Sequence, residues 1–262
     1  MTKALRGSKG VTLVELMVAL VISAVLVGAL FRTFSAQQKA YNIQEQVVDM
    51  QQNARLAISK AIRAIRTAGF GGLSTNKNLL LAMGGHTSAV TIDDPNKITV
   101  IGAYRPLRDD DTKEPITVTE AAGKMIILSH PTDEFDNYDF ICIGGLFSYV
   151  IQGPKPRGEV SVLTLDREPT YDLKGEYVYK IEALTYNLAK IAEIADSIEN
   201  VQFQYLDENG NPTGAADNVR MVKLTVTAKT KEKDPDYNGV DGYRRRVFTS
   251  NIQLRNIGIG FP

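Results

Sequence analysis

Cysteine is almost missing from this 262-residue sequence: Cys142 stands alone, so no intramolecular disulfide can form. It lies in the apolar stretch Phe140-Ile141-Cys142-Ile143, where a buried structural thiol is expected, since free cysteine is among the most buried residue types. Net charge is missing as well. Thirty Lys and Arg offset thirty Asp and Glu, so no overall field favours nucleic acid or an anionic surface as partner. Only two histidines occur, His86 and His130, far apart and outside any HExxH or cysteine pattern, which leaves a zinc centre or a histidine-dependent nucleophile unsupported. Gly84-Gly85 and Gly144-Gly145 lack the following Lys-Ser/Thr of a phosphate-binding loop and read as turns or bulges. Internal repeats and low-complexity tracts are absent, and proline does not appear before Pro95. The expectation is a protein that is not an enzyme and carries no cofactor.

The 44% of hydrophobic residues is ordinary, but much of it is gathered near the N-terminus. Residues 1–10 contain Lys3, Arg6 and Lys9 and no acid; from Val11 to Phe31 the only charge is Glu15. Twenty-one residues of helix reach roughly 32 Å, enough for a bilayer core of about 30 Å. The preceding positive charge places the N-terminus in the cytoplasm and the chain after Arg32 on the far side. A secretory signal has a shorter apolar region, about 7–15 residues, ending at a small-residue cleavage site. Here the run is longer and passes unbroken into a polar helix, with only Ser23-Ala24-Val25 and Gly28-Ala29 as weak cleavage candidates. A plain uncleaved anchor is the other alternative. Glu15 discriminates, because an ionisable group inside a spanning helix is costly and is retained for function. Cleavage after Gly10 would put a new amino group on Val11, four residues from Glu15, where it would neutralise that carboxylate in its own chain or in a neighbour.

From Phe34 onward the pattern is amphipathic: Ile43, Val47, Met50, Ala54, Ile58 (or Ala57), Ala61 and Ile65 recur at steps of three and four. A single helix from about Val11 to Ala68 would end with Arg63 and Arg66 in its last turns and Gly69, Gly71 and Gly72 beyond. After Gly72 come short β-like runs: 89–92, 97–104, 116–119, 125–128, 140–143, 146–152, 160–165, 177–187, 201–206, 219–227 and 247–254. Residues 93–96 and 207–211 read as turns, and a short helix is expected over 188–200.

Lys9-Gly10-Val11-Thr12-Leu13-Val14-Glu15 resembles the class III leader of type IV prepilins and pseudopilins. The tract Gln44-Glu45-Gln46-Val47-Val48-Asp49-Met50-Gln51-Gln52-Asn53, the segment 191–205 and the stretches 241–248 and 252–256 are similar to PilW-type minor pilins, with PulJ-like minor pseudopilins next. Residues 73–175 match nothing recognisable. The resemblance implies an α+β, pilin-like fold, a long N-terminal helix packed on an antiparallel β-rich head. Its parts would be a leader (1–10), a membrane or filament-core half-helix (11–34), an amphipathic half-helix (35–68) and the head (69–262). It implies cleavage between Gly10 and Val11 by a prepilin peptidase, N-methylation of Val11, where the family usually has Phe, and an assembly role for Glu15. Its partners would be major and other minor pilins, with the chain in the bacterial inner membrane, head periplasmic, before joining a surface pilus. The implied function is a minor pilin in type IV pilus assembly, with a type II secretion pseudopilin or a tip-displayed adhesin or DNA-binding pilin as alternatives.

Two polar clusters remain. Asp234-Pro235-Asp236-Tyr237-Asn238-Gly239 matches the start of an EF-hand loop, but position twelve would be Arg245 and no helices flank it. A solvated turn is expected, with calcium at Asp234, Asp236, Asn238 and Asp241 as the weaker alternative. Arg244-Arg245-Arg246 would alternate faces on a strand, and three charges give little sequence-independent DNA affinity, so no nucleic acid is expected.

Overall fold

The computed structural model describes residues 11–73, 77–135, 138–152, 160–239 and 241–257. One continuous helix, α1 (Leu13–Arg66), takes up 54 residues and runs about 81 Å, as a proline-free stretch allows. It ends where Thr67 folds its N–H back onto the Ala64 and Arg63 carbonyls. Gly69 then turns the chain with φ +81° and donates its N–H to the Ile101 carbonyl at 2.8 Å. A Cβ at this position would lie 3.0 Å from the Asn256 carbonyl oxygen, so glycine is required both for its backbone angle and for space.

Among the described residues the head has twelve strands, two short α-helices and a 3-10 turn at Ala216–Asn218. After α2 (Lys77–Ala82) come β1 (Val90–Asp94), β2 (Lys97–Gly102), β3 (Val118–Ala122) and β4 (Met125–Thr132). These lead into β5 (Phe140–Ile143), β6 (Phe147–Gln152), β7 (Val160–Leu165), β8 (Val178–Lys180) and β9 (Glu182–Asn187). Then follow α3 (Leu188–Ala192), β10 (Ile198–Leu206), β11 (Met221–Lys229) and β12 (Arg245–Gln253). They form three antiparallel sheets, ordered β1-β2-β9, β10-β11-β12 and β3-β4-β7-β6-β5-β8. The result is an α+β, pilin-like arrangement of a long helix and a β-rich head.

The second half of α1 lies on β11 and β12. Its buried stripe is Met50, Ala54, Ala57, Ala61, Ala64 and Ile65; Ala57, not Ile58, fills the ambiguous position. Four alanines let the sheet come close to the helix backbone, and the larger partners are supplied by the strands. Val222, Leu224 and Val226 on β11 alternate with half-buried neighbours, the period-2 pattern of a sheet with one buried face. This core extends through Val201 and Phe203 to Ile98, Val100 and Ile191.

The unplaced middle of the sequence turns out to hold a second core of its own. Ile116, Ile126, Ile141, Tyr149, Leu163 and Leu165 close within the six-stranded sheet. Leu73, Leu80, Ile101, Cys142 and Ile181 form a third cluster. Two expectations need correction. The expected run 177–187 is split at buried Ile181: β8 pairs with β5, while β9 pairs with β2 in a different sheet. The expected helix over 188–200 stops at Ala192. Asn187 caps its start by accepting the Lys190 N–H at 2.9 Å, but Ile198 and Val201 enter the main core by pairing with β11, and that burial overrides helix propensity. The helix α2 was not foreseen at all.

Candidate functional site

Residues 11–34 of α1 have no cover from the rest of the chain. Val11 is 75% exposed and Phe31 70%, with Leu13, Leu16, Leu20, Leu26 and Leu30 also on the surface. So large an apolar surface on a folded chain marks a lipid-facing or protein-facing element. Among the described residues α1 is the one helix long and apolar enough to cross a membrane.

The helix begins with a reciprocal cap. Thr12 is the N-cap; its hydroxyl oxygen accepts the Glu15 N–H at 3.2 Å. The Glu15 carboxylate in turn accepts the Thr12 N–H at 2.9 Å and the Thr12 hydroxyl at 3.0 Å. This capping box satisfies two donors that a helix start otherwise leaves free, and sets a negative side chain at the positive end of the helix dipole. Glu15 is thus held over the first turn, toward Val11. Gly10 and the rest of the leader lie outside the described residues. The role of Thr12 was missed in the sequence, although a Thr three residues before a Glu at the head of an apolar run is a readable signal for it.

The second candidate, the β11–β12 connection, is a stitched loop. Buried Asp234 accepts from Arg244 Nε at 2.6 Å and from the Asp236 N–H at 3.0 Å, while its own N–H donates to the Gly242 carbonyl at 2.8 Å. The Arg244 hydrogen bond holds the Asp234 carboxyl below the usual carboxylate range. Arg245 forks between Asp241 and Glu199, reaching the latter through Nε at 2.6 Å, and this depresses both carboxylates. The loop also grips α1: the Glu232 N–H donates to Gln46 Oε1 at 3.1 Å, and Gln46 Nε2 returns a bond to Glu232. Of the four calcium candidates, Asp234 and Asp241 therefore hold arginines, while Asp236 and Asn238 are exposed. Among the described residues no three His, Cys, Asp or Glu side chains are grouped to hold a metal ion. Glu199 could not be found from the sequence, since it lies on another strand; the Asp241–Arg245 spacing of four is local. Arg244 and Arg245 are occupied by carboxylates and do not form a free basic patch.

The two histidines and Cys142 lie away from both candidates. His86 Nδ1 pairs with the Thr91 hydroxyl at 3.1 Å, and His130 Nδ1 with that of Ser129 at 3.1 Å. Burial pushes the Cys142 thiol up to about 12.

Residues 5–31 match the family model of the prokaryotic N-terminal methylation motif. No curated protein and no solved structure matched the chain. The motif is structural rather than catalytic; a leader of this kind implies processing by a prepilin peptidase and assembly with other pilins. The matched segment takes in the second half of the basic leader, the Thr12–Glu15 cap and most of the bare apolar half of α1, so the chain carries a type IV pilin-like start on a pilin-like α+β fold.

Proposed function

We propose that the protein is a minor pilin that takes part in priming type IV pilus assembly through helix–helix packing. The observation that carries this reading is the uncovered apolar half of α1, headed by the Thr12–Glu15 cap and directly preceded by the leader. Lipid covers residues 11–34 before assembly, and sister helices cover them afterwards. Prepilin peptidase cuts between Gly10 and Val11, the Val11 amine is methylated, and that amine meets the Glu15 carboxylate of a neighbour as the helix leaves the bilayer. The head waits on the periplasmic side of the inner membrane. Its role is mechanical; the β10-β11-β12 sheet holds the docked half of α1 while the bare half assembles.

Glu15 is tested with two variants, because the cap it forms with Thr12 and its proposed pairing with a neighbour's amine are separate roles. Glu15→Gln keeps an acceptor for the Thr12 N–H but removes the charge; Glu15→Ala removes both. Both variants should insert and lose the leader normally, and both should be depleted from filaments about tenfold or more, as expected when a charge-assisted bond is lost from a water-free contact. Wild-type incorporation of Glu15→Gln would reduce Glu15 to a helix cap and sink the charge-pairing role. Cleavage is checked by mass: the mature chain should begin at methylated Val11, and Gly10 replaced by a bulky residue should retain the leader.

The same leader and helix would serve a minor pseudopilin of type II secretion. Deleting the gene and counting surface filaments while assaying secreted enzymes separates the two. Loss of filaments with secretion intact supports the pilus role, and the reverse result supports the secretion role.

A further inference from the structure

The sheet β10-β11-β12 has two edges, and the chain treats them differently. β11 pairs with β12 through nine consecutive positions without a register shift, from Met221 opposite Gln253 to Lys229 opposite Arg245. Beyond each end the bonds continue in phase: the Thr230 N–H donates to the Arg244 carbonyl at 2.9 Å, and the Leu254 N–H to that of Arg220 at 2.9 Å. In an antiparallel ladder, residues bonded to the partner strand alternate with residues whose backbone groups point the other way. Arg244 and Leu254 therefore set the phase. Arg246, Phe248, Ser250 and Ile252 turn their backbone groups to β11, while Arg245, Val247, Thr249, Asn251 and Gln253 direct theirs out of the sheet.

Along the opposite edge, β10, two such outward groups are taken. The Phe203 N–H donates to the Pro95 carbonyl at 2.6 Å, and the Tyr205 carbonyl accepts the Thr213 N–H at 3.0 Å. Along β12 no described residue takes them. Apart from Arg245 and Arg246 at its start, β12 lacks the usual protections of an edge. β1 shifts register between Thr91 and Asp94 and β8 is three residues long, whereas β12 is nine residues long, regular, free of proline, and exposes Val247 at 64%.

We infer that β12 is a strand-addition edge that pairs with an extended segment of a different protein chain in the same assembly. Only another extended backbone presents N–H and C=O groups at the spacing these five residues need. A second copy of this chain paired antiparallel does not fit. Gln46 of α1 contacts Glu232 near the Arg245 end of β12, and the Arg66 carbonyl accepts the Arg255 N–H at the Gln253 end. The helix and β12 thus run in the same direction. Two β12 strands paired antiparallel about a twofold axis would point their helices in opposite directions, which two chains threaded alike through one bilayer do not allow. This exclusion rests on the membrane-anchored reading given above. Arg246, exposed and in no ion pair among the described residues, favours an acidic side chain in the incoming strand.

Amide hydrogen exchange tests the proposal on the full-length protein, first alone in nanodiscs and then in the assembly purified from cells. Alone, the Val247, Thr249 and Asn251 amides should exchange freely while those of Phe248, Ser250 and Ile252 are protected. In the assembly the first group should slow by about tenfold or more. A paired variant test runs beside it. Thr249→Pro deletes one outward N–H, a change that edge strands tolerate; it should keep the wild-type melting profile and fail to incorporate, whereas Thr249→Ala incorporates normally. Protection of the outward amides in the isolated chain, or free exchange of them in the assembly, overturns the proposal; so does normal incorporation of Thr249→Pro. Absence of the wild-type chain from every assembly would overturn both this inference and the pilin reading, while its presence with unprotected β12 amides overturns the edge pairing alone.

Discussion

Replacing Ala61 by Leu should loosen the grip of the head on its own helix. Ala61 is completely buried, in a row with Ala54 and Ala57 that is likewise buried, facing a sheet whose inner positions hold Val222, Leu224 and Val226. Leucine adds three carbons at a completely buried site, so neighbouring side chains must leave their rotamers or the helix must lift. Overpacking of this kind costs about 1–3 kcal/mol. For a domain of this size each kcal/mol shifts Tm by about 2–4 °C, so the loss should be about 2–12 °C. Leu56, 48% exposed on the same helix, provides the control: Leu56→Ala should change stability by no more than about 0.5 kcal/mol. Calorimetry of the full-length protein in detergent is the suitable assay, since the chain has no tryptophan to follow by fluorescence. An unchanged Tm for Ala61→Leu together with a clear loss for Leu56→Ala would mean that α1 docks through a different face.

Two further outcomes follow from the ionisable groups that the fold pairs or buries. Asp234, Asp241 and Glu199 all have carboxyls depressed by their arginine partners, so their stabilisation is complete above the ordinary carboxylate range, near pH 4, and is lost as pH falls through it toward the lowered values. Asp234→Asn should therefore lower Tm at pH 7 and flatten its decline between about pH 5 and pH 3; a parallel decline in both proteins would show that the Arg244 pair carries none of the acid sensitivity. With Cys142 pushed up to about 12 and buried, the native chain should resist a thiol reagent at pH 8 and react fully once denatured. Rapid labelling of the native protein would contradict the packing around β5.

Much of the helix was legible because its causes are local. A charge-free apolar run, a proline-free continuation and glycines past the end dictate where α1 must form and stop, and the period-2 pattern of Val222, Leu224 and Val226 dictates a strand with one buried face. The cap at Thr12 and Glu15 was equally local, though it was read only as a charge. What could not be read is pairing between distant segments. Residues 177–187 look like one strand, but burial of Ile181 bends the chain between two sheets; nothing nearby distinguishes a long strand from two short ones serving different cores.

The sequence by itself determined that the first half of the helix must leave water, that Cys142 sits inside, and that the head is β-rich. Tertiary structure alone decided which side of α1 is buried at Ala57 against Ile58, because that depends on how closely a sheet can approach. It brought Glu199 to Arg245, and Gln46 to Glu232, across long stretches of chain. It also gave two outward groups of β10 a partner and, among the described residues, gave those of β12 none. Strand propensity is a property of neighbouring residues, whereas the freedom of an edge depends on every other segment that might have covered it.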